Sequence, residues 1–271
     1  MKSLPYNALH PKKSLGQNFL ADRQVAQRII SSLNLGPGDC VLEIGCGTGA
    51  LSELLVGNVS QFVGIELDRH LFDSLVIRFG NHSRARFINA DVLRVDLNGL
   101  LGELASDPFK IKVVGNLPFY ISSPILHWLG RHLSRIACAT IMLQSEVAQR
   151  LWALPCSKEY GVLTLTTAYY FQIRKLFDVG PAVFRPIPKV SSTLVQLLPK
   201  NIQALDEPEE FFRMIKQGFS HRRKTLHNCL KGIANPTALE MALRTVEKPS
   251  NVRAEELSLD DFLLIFSMLK G

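Results

Sequence analysis

The sequence contains no run of about 18 apolar residues, the length needed to span a bilayer, so no membrane segment is predicted. Its N-terminus lacks the apolar stretch of a secretory leader, and we expect none. Only five cysteines occur in 271 residues, and their scattered positions fit neither a disulfide framework nor a metal site. We therefore expect reduced thiols, no bound metal and a cytoplasmic location.

Acidic residues are missing from two segments of the chain. Residues 1–21 contain Lys2, Lys12 and Lys13 but no acid, and residues 213–231 contain six Lys or Arg and again no acid. Together with a net charge of +7, this favours an anionic partner. Charge alone does not separate a nucleic acid from a membrane surface, and a solvated face is the plain alternative. No large apolar stripe calls for a second copy, so we expect a monomer.

What the chain does have is a regular alternation of short apolar runs and helical patterns. The apolar runs that indicate buried strands lie at residues 40–44, 62–65, 86–88, 111–114 and 137–143. Strands that alternate with helices predict an α/β fold with a mostly parallel sheet covered on both faces. Residues 160–170 fit either a strand or a helix.

The pattern becomes helical after residue 200. The helices predicted there lie at residues 208–219, 223–231, 237–243 and 258–269. We therefore expect two domains, with the sheet in residues 1–200 and a small all-helical domain in residues 201–271.

The first predicted strand runs into a glycine-rich turn, Gly45, Gly47 and Gly49, preceded by the acid Glu43. Glycines at such a turn let a ligand approach the backbone closely. The G-x-G-x-G spacing and the preceding acid indicate S-adenosylmethionine rather than the pyrophosphate cofactors of G-x-G-x-x-G turns. A plain tight turn and a dinucleotide site are the alternatives.

Acids end the next two predicted strands. Glu66 follows Gly45 by 21 residues and can accept both ribose hydroxyl hydrogens, which would also suit a nicotinamide cofactor. Asp91 can accept a hydrogen from an adenine amine. Because ligands bind beyond the carboxyl ends of parallel strands, these groups are expected to lie together.

The fourth strand ends in Asn116-Leu117-Pro118-Phe119. An adenine amine is a poor nucleophile because its lone pair is delocalised into the ring. The oxygen of Asn116 and the carbonyl of Leu117 or Pro118 can accept its two hydrogens, and Phe119 can stack on an extruded base. Catalysis would then be mainly positioning. An Asn-Pro turn that only closes a strand is the alternative.

Asn116–Phe119 resembles the (N/D)-P/L-P-(Y/F) signature of adenine N6-methyltransferases. Roughly residues 10–265 resemble the bacterial ribosomal RNA adenine dimethyltransferase family (the KsgA/RsmA type), with matching segments at 14–20, 142–147, 184–190 and 221–226. The resemblance implies a Rossmann-like seven-stranded S-adenosylmethionine-dependent methyltransferase sheet with one antiparallel strand, and a small C-terminal helical domain. It implies dimethylation of two adjacent adenosines in a hairpin loop near the 3′ end of small-subunit (16S) ribosomal RNA, within a pre-30S particle.

The resemblance also implies roles for individual residues. The expected cofactor site consists of Gln17, Asn18, Leu20, Gly45, Gly47, Glu66, Leu67, Asp91, Val92 and Asn116. The expected RNA contacts are Arg185, Lys189, Arg222, Arg223 and Lys224, with Phe184 packed either against the target base or in the core. The sequence departs from the family at Phe119-Tyr120, where Tyr-Asn is usual, and at Cys46, where proline is frequent.

Three other functions remain open on the sequence alone. A relative that methylates an adenine of large-subunit RNA shares the chemistry but fits residues 184–190 and 222–224 less well. A ribosome-assembly factor would depend on binding more than on catalysis. A nicotinamide-dependent dehydrogenase shares Gly45 and Glu66 but leaves residues 116–119 unexplained.

Overall fold

The structure is a computed structural model that describes residues 11–12, 16–102, 110–118, 121–201, 205 and 207–270. The described residues form nine strands. They are β1 (Phe19–Leu20), β2 (Cys40–Ile44), β3 (Gln61–Glu66), β4 (Ala85–Asn89), β5 (Ile111–Asn116), β6 (Ile136–Gln144), β7 (Phe171–Val179), β8 (Phe184–Arg185) and β9 (Ser192–Pro199). All five strands predicted before residue 150 are confirmed, with ends that differ by at most two residues.

Eleven α-helices occur in the same described ranges. They are α1 (Arg23–Ser32), α2 (Ser52–Leu55), α3 (Arg69–Phe79), α4 (Leu97–Gly102), α5 (Ser122–Arg131), α6 (Ser145–Leu151), α7 (Val162–Tyr170), α8 (Pro208–Gly218), α9 (Leu226–Cys229), α10 (Pro236–Thr245) and α11 (Leu259–Lys270). The ambiguous segment at residues 160–170 is thus mostly helix. Within the described ranges, no helix is long and apolar enough to cross a membrane.

Seven strands form one sheet in the order β4-β3-β2-β5-β6-β9-β7. The strands β2 to β6 pair in parallel with one another, and β9 pairs antiparallel with β6. The α/β sheet predicted from the sequence is therefore confirmed, including an antiparallel strand. The order of strands reverses between β2 and β5, because β3 and β4 extend to one side and β6 to the other. Such a switch point opens a crevice at the carboxyl ends of the strands.

A smaller two-stranded sheet fixes the segment that precedes helix α1. The strands β1 and β8 are antiparallel, with Phe19 opposite Arg185 and Leu20 opposite Phe184. The N–H of Ala21 donates to the carbonyl of Val183 at 2.8 Å. The proline-rich loop after β7, residues 181–188, therefore holds residues 19–21 through its backbone.

Helix α1 begins at Arg23, directly after Asp22. The side chain of Asp22 accepts hydrogen bonds from the N–H groups of Gln24 and Val25, at 2.8 and 3.0 Å. An acceptor at this position satisfies N–H groups that the first helical turn leaves unpaired. The buried side of the helix, which includes Ala26 and Ile29, joins the apolar core beside the sheet.

The chain divides into two units. The first consists of the described residues up to Ala148 and of Ile173–Pro199, and the second consists of Gln149–Gln172 and the described residues from Lys200 onward. A single boundary near residue 200 therefore places Gln149–Gln172 with the sheet, whereas the structure places it with the helices.

Aromatic packing explains why that segment belongs to the second unit. The Tyr169 ring lies 5.6 Å from the ring of Phe211 and 5.4 Å from that of Phe212. The Tyr170 ring lies 5.3 Å from the ring of Phe212. Both tyrosines are buried, as expected for a core cluster, and large aromatic side chains contribute strongly to the stability of such a core.

The helix predicted at residues 223–231 is much shorter in the structure. Helix α9 begins only at Leu226, because Thr225 is extended and its hydroxyl accepts the N–H of Asn228 at 3.3 Å. Thr225 thus acts as the N-cap, which ends the preceding turn. The three consecutive cations Arg222, Arg223 and Lys224 consequently lie on this turn and are exposed.

Candidate cofactor and substrate site

A cavity opens at the carboxyl ends of β2, β3, β4 and β5, on the side predicted for ligand binding. It brings together all ten residues expected at the cofactor site. Those residues are Gln17, Asn18, Leu20, Gly45, Gly47, Glu66, Leu67, Asp91, Val92 and Asn116. Leu117 and Pro118 also line it.

The glycine-rich turn forms one wall of this cavity. Gly45, Gly47 and Gly49 have φ angles of 72°, 56° and 82°, a region that side chains with a Cβ rarely adopt. A Cβ at Gly47 would also lie 3.1 Å from the ring of Phe19. Glycine is therefore required at Gly47 both by the backbone conformation and by the neighbouring ring.

Glu66 links the end of β3 to the glycine-rich turn. Its carboxylate accepts the N–H of Gly47 at 2.8 Å and the N–H of Asp68 at 2.9 Å. The residue is only 6% exposed, and burial raises the pKa of its carboxyl although these hydrogen bonds act to lower it. Two oxygens have about four acceptor positions, so the two backbone bonds leave room for hydroxyl donors.

Glu43, the acid that precedes the glycine-rich turn, lines the cavity. It is 1% exposed and accepts the hydroxyl of Ser52 at 2.5 Å. Burial raises the pKa of this carboxyl to about 8, and the charge of Glu66 acts in the same direction. Glu43 is therefore mainly protonated at neutral pH. The sequence feature that could have pointed to this buried acid is its position inside an otherwise apolar strand.

Asp91, Leu67 and Val92 line the far end of the cavity. Asp91 caps a short 3-10 helix by accepting the N–H of Leu93 at 3.1 Å, and its side chain is 36% exposed. Val92 is buried, whereas Leu67 is 47% exposed. Apolar side chains beside a single carboxylate are a common way to hold a flat, weakly polar ring with a polar edge.

Asn116 at the end of β5 is held by the N-terminal segment. Its Nδ2 donates to the carbonyl of Asn18 at 2.9 Å, which assigns the nitrogen of the carboxamide and leaves Oδ1 as its acceptor end. Leu117 is buried, and its N–H donates to the carbonyl of Met142 at 3.3 Å. The carbonyl of Pro118 accepts the N–H of Ile121 at 3.2 Å, and Phe119 lies outside the described residues.

Gln17 and Asn18 are placed by contacts that sequence reasoning did not foresee. Gln17 Nε2 donates to Asp68 Oδ2 at 3.1 Å, and Lys12 Nζ donates to Asp68 Oδ1 at 3.0 Å. Asn18 Nδ2 donates to the carbonyl of Gly16 at 3.2 Å. Asp68 stands two positions after Glu66, and no pattern in the sequence distinguishes it from an ordinary helix cap.

The predicted RNA contacts in the proline-rich loop differ from one another. Phe184 is 1% exposed and belongs to the core cluster around the sheet, and it also lines the cavity, so its position agrees with both alternatives for its ring. Arg185 is exposed, and its guanidinium donates to the carbonyls of Ala182 and Phe184 at 2.7 and 2.8 Å. Lys189 is exposed as well.

The second cationic group lies in the helical unit. Arg222 donates to the carbonyls of Lys158 and Tyr160 at 2.5 and 3.3 Å, and its guanidinium lies 3.6 Å from a carboxylate oxygen of Glu255. These contacts stabilise the fold of that unit. Arg223 and Lys224 are exposed, and their side chains make no ion pair or hydrogen bond with the described residues.

The cavity residues fit S-adenosylmethionine. The turn, Glu66 and Asp91 stand at the ends of the neighbouring strands β2, β3 and β4, and Asn116 stands on β5 at the other side of β2. Strand spacing makes this row about 14 Å long, enough for an extended nucleoside that carries an amino acid. The described residues contain no group of three His, Cys, Asp or Glu that could hold a metal ion. Fold and site together define an S-adenosylmethionine-dependent methyltransferase of the Rossmann-like class.

Sequence comparison then identifies the family. The family model described as "Ribosomal RNA adenine dimethylase" matches residues 8–270, so the chain belongs to the ribosomal RNA adenine dimethylase family. A protein of Francisella tularensis subsp. novicida named "Ribosomal RNA small subunit methyltransferase A" is 39% identical over 259 residues, which cover 95% of this chain and 97% of that protein. The recognised resemblance is therefore confirmed, and the protein is an enzyme.

Solved structures share the fold of this chain. A dimethyladenosine transferase from Plasmodium falciparum superposes with a TM-score of 0.74 at 24% identity, covering 93% of this chain and 97% of that one, which shows the shared fold. The 23S rRNA methyltransferase ErmE superposes with a TM-score of 0.65 at 26% identity, covering 94% of this chain and all of that one.

Proposed function

We propose that this enzyme dimethylates the N6 amines of two adjacent adenosines in a hairpin loop near the 3′ end of small-subunit (16S) ribosomal RNA. The observation that carries the proposal is the hydrogen bond from Asn116 Nδ2 to the carbonyl of Asn18. It fixes Asn116 Oδ1 as a hydrogen-bond acceptor at the strand end beside the glycine-rich turn. The names of relatives such as the Francisella protein support small-subunit RNA as the target.

The proposed chemistry depends on how the chain orients the target amine. S-adenosylmethionine supplies a methyl group on a positively charged sulfur, which departs as a neutral thioether. For the first methyl, Asn116 Oδ1 and a backbone carbonyl accept the two amine hydrogens, so the nitrogen lone pair is released from the ring for attack, and the methylated nitrogen then gives one proton to solvent. For the second methyl, the one remaining hydrogen is accepted in the same way, and its proton also leaves to solvent. Pro118 O already accepts Ile121 N–H, which favours Leu117 O as the second acceptor. Positioning of this kind can supply a large part of the rate enhancement.

The remaining assignments follow from the same site. Glu66 accepts the ribose hydroxyls, and Asp91 accepts the adenine amine of the cofactor, with Leu67 and Val92 against its ring. We propose that Phe119 stacks on the target base, and that Arg185, Lys189, Arg223 and Lys224 contact RNA phosphates. The substrate is proposed to be a pre-30S particle, with the enzyme acting as a monomer in the cytoplasm. The sheet unit would then carry the methyltransferase activity, and the helical unit, which includes Gln149–Gln172, would bind RNA.

The test is transfer of labelled methyl from S-adenosylmethionine to undermethylated small ribosomal subunits, followed by nucleoside analysis. We expect N6,N6-dimethyladenosine with the wild type, none with Asn116→Ala, and wild-type yield with Asn98→Ala, which changes an exposed asparagine in α4. Transfer only to large-subunit RNA, the substrate named for ErmE, would contradict the proposal. Assembly activity that survives in Asn116→Ala would show that binding is a separate role.

A further inference from the structure

Residues 16–20, which we call the strap, lie along the cofactor cavity and are anchored at both of its sides. Gly16, Gln17 and Asn18 line the cavity. On the β3 side, Gln17 Nε2 donates to Asp68 Oδ2 at 3.1 Å. On the β5 side, the carbonyl of Asn18 accepts Nδ2 of Asn116 at 2.9 Å. The strap therefore connects the ribose side of the cavity to the residue proposed to orient the target amine.

Asp68 is the anchor on the β3 side, and its carboxylate accepts three hydrogen bonds. Oδ1 accepts Lys12 Nζ at 3.0 Å and the N–H of His70 at 3.1 Å, while Oδ2 accepts Gln17. The N–H of Asp68 donates to Glu66 Oε1 at 2.9 Å. Asp68 is 4% exposed, although it stands at the start of a surface helix. One residue thus contacts the strap and the helix through its side chain and Glu66 through its backbone N–H.

We propose that Asp68 is a positioning residue: it holds the strap through Gln17 and Lys12, and the strap holds the carboxamide of Asn116 through the carbonyl of Asn18. This inference rests on the proposed role of Asn116. Burial acts to raise the pKa of the Asp68 carboxyl, but the hydrogen bonds from Lys12 and Gln17 outweigh it, so the pKa is lowered. The anchor is therefore ionised at neutral pH.

The variant Asp68→Asn separates the anchor from the helix cap. Asparagine caps helices as well as aspartate does, so the bond from His70 is retained. Because Oδ1 stays as the acceptor of His70 and Lys12, the new NH2 group would face the NH2 group of Gln17, where two donors cannot pair. Gln17 cannot simply rotate its carboxamide, because its Oε1 accepts the N–H of Lys12 at 2.7 Å. The matched control is Asp73→Asn, which changes an exposed carboxylate on α3 that pairs with Arg69.

The direct readout is nuclear magnetic resonance of the Asn116 side-chain amide, assigned by its absence in Asn116→Ala. We expect Asp68→Asn to shift and broaden this signal and Asp73→Asn to leave it unchanged. Calorimetry with S-adenosylmethionine should show about tenfold weaker binding in Asp68→Asn, the loss expected from one charge-assisted hydrogen bond. The kcat for methyl transfer should fall by about tenfold to a hundredfold, because a small displacement of a group that orients the substrate lowers the rate by this much. The KM for RNA should stay unchanged.

An Asn116 signal, cofactor affinity and kcat that all match those of Asp73→Asn would overturn the proposal. The proposal would also be overturned if these losses in Asp68→Asn came with a lower melting temperature while Lys12→Met kept the wild-type melting temperature. Asp68 would then have a role in folding alone. The resonance and calorimetry need no RNA. If the wild type transfers no methyl to ribosomal RNA while the Asn116 signal still responds to Asp68→Asn, the proposed substrate fails and the inferred coupling stands.

Discussion

The carboxylate of Glu66 accepts the backbone N–H of Gly47 at 2.8 Å. This bond joins the end of β3 to the middle of the glycine-rich turn on β2, so the proposed ribose acceptor also sets the position of the turn. The partner is a backbone group rather than a side chain, and the positive φ of Gly47 presents it. The ribose acceptor and the turn are therefore one structural unit.

Replacing Glu66 with glutamine is expected to weaken cofactor binding by about tenfold to a hundredfold, since a hydrogen bond to a charged group contributes about 1.5–3 kcal/mol. The NH2 group of glutamine would face the N–H of either Gly47 or Asp68, and one oxygen would remain as an acceptor. Isothermal titration calorimetry with S-adenosylmethionine measures the change. Glu53→Gln, at an exposed acid paired with Arg78, is the control. Equal affinity in the wild type and Glu66→Gln would refute the assignment.

Gly47→Ala is expected to destabilise the fold and to weaken cofactor binding. The left-handed backbone of this residue costs about 1–2 kcal/mol when a Cβ is added. The new methyl group would also push on the ring of Phe19, and with it on the strap. Gly38→Ala is the matched control, because a Cβ there meets nothing within 4 Å. Thermal unfolding and calorimetry measure both effects, and a Gly47→Ala protein that behaves like Gly38→Ala would contradict the account.

The sheet and the approximate position of the site could be predicted because they depend on local patterns. Apolar runs marked the strands, and parallel strands place their carboxyl ends at one edge. Gly45, Glu66, Asp91 and Asn116 each stand at or just after the end of a strand, so each could be assigned to the cavity from its position in the chain alone.

What could not be predicted depends on contacts between distant parts of the chain. The roles of Asp68 and Arg222 arise from partners 51 and 64 residues away, and no periodic pattern reports such pairs. The grouping of Gln149–Gln172 with the helices depends on aromatic packing of Tyr169 against Phe211. Helix α9 is short because the side chain of Thr225 caps it locally, in competition with the helix propensity of residues 223–225. Tertiary context decides the outcome of that competition.

Glu43 is expected to make the stability of the protein depend on pH. Its pKa is about 8 in the folded state and 4.5 as an ordinary carboxyl, so between these values the folded state binds more protons than the unfolded state. The contribution is fully present below about pH 4.5 and is lost as the pH rises toward 8. Urea unfolding from pH 5 to pH 9 should show this loss in the wild type and a smaller one in Glu43→Gln.

Glutamine keeps an acceptor for the hydroxyl of Ser52 but cannot ionise, so the difference between the two proteins isolates the titration of Glu43. The raised pKa of the buried Glu66 also makes stability fall as the pH rises, and it does so in both proteins. Glu53→Gln should retain the wild-type pH dependence. Parallel curves for the wild type and Glu43→Gln would show that the Glu43 carboxyl does not hold a proton at neutral pH.

Arg222 and its two neighbours are expected to respond differently to neutralisation, although the sequence presents them as one basic run. Arg223→Gln with Lys224→Gln should weaken RNA binding and reduce the slope of log affinity against log salt by about 1.5, since each lost phosphate contact removes about 0.7–0.9. Arg222→Gln should instead lower the melting temperature, because the carbonyls of Lys158 and Tyr160 lose their donor. Fluorescence anisotropy at several salt concentrations and circular dichroism separate the two effects. Arg244→Gln, at an exposed arginine paired with Glu240, controls for the loss of a charge. If the double variant has the same salt slope as Arg244→Gln, Arg223 and Lys224 are excluded as phosphate contacts.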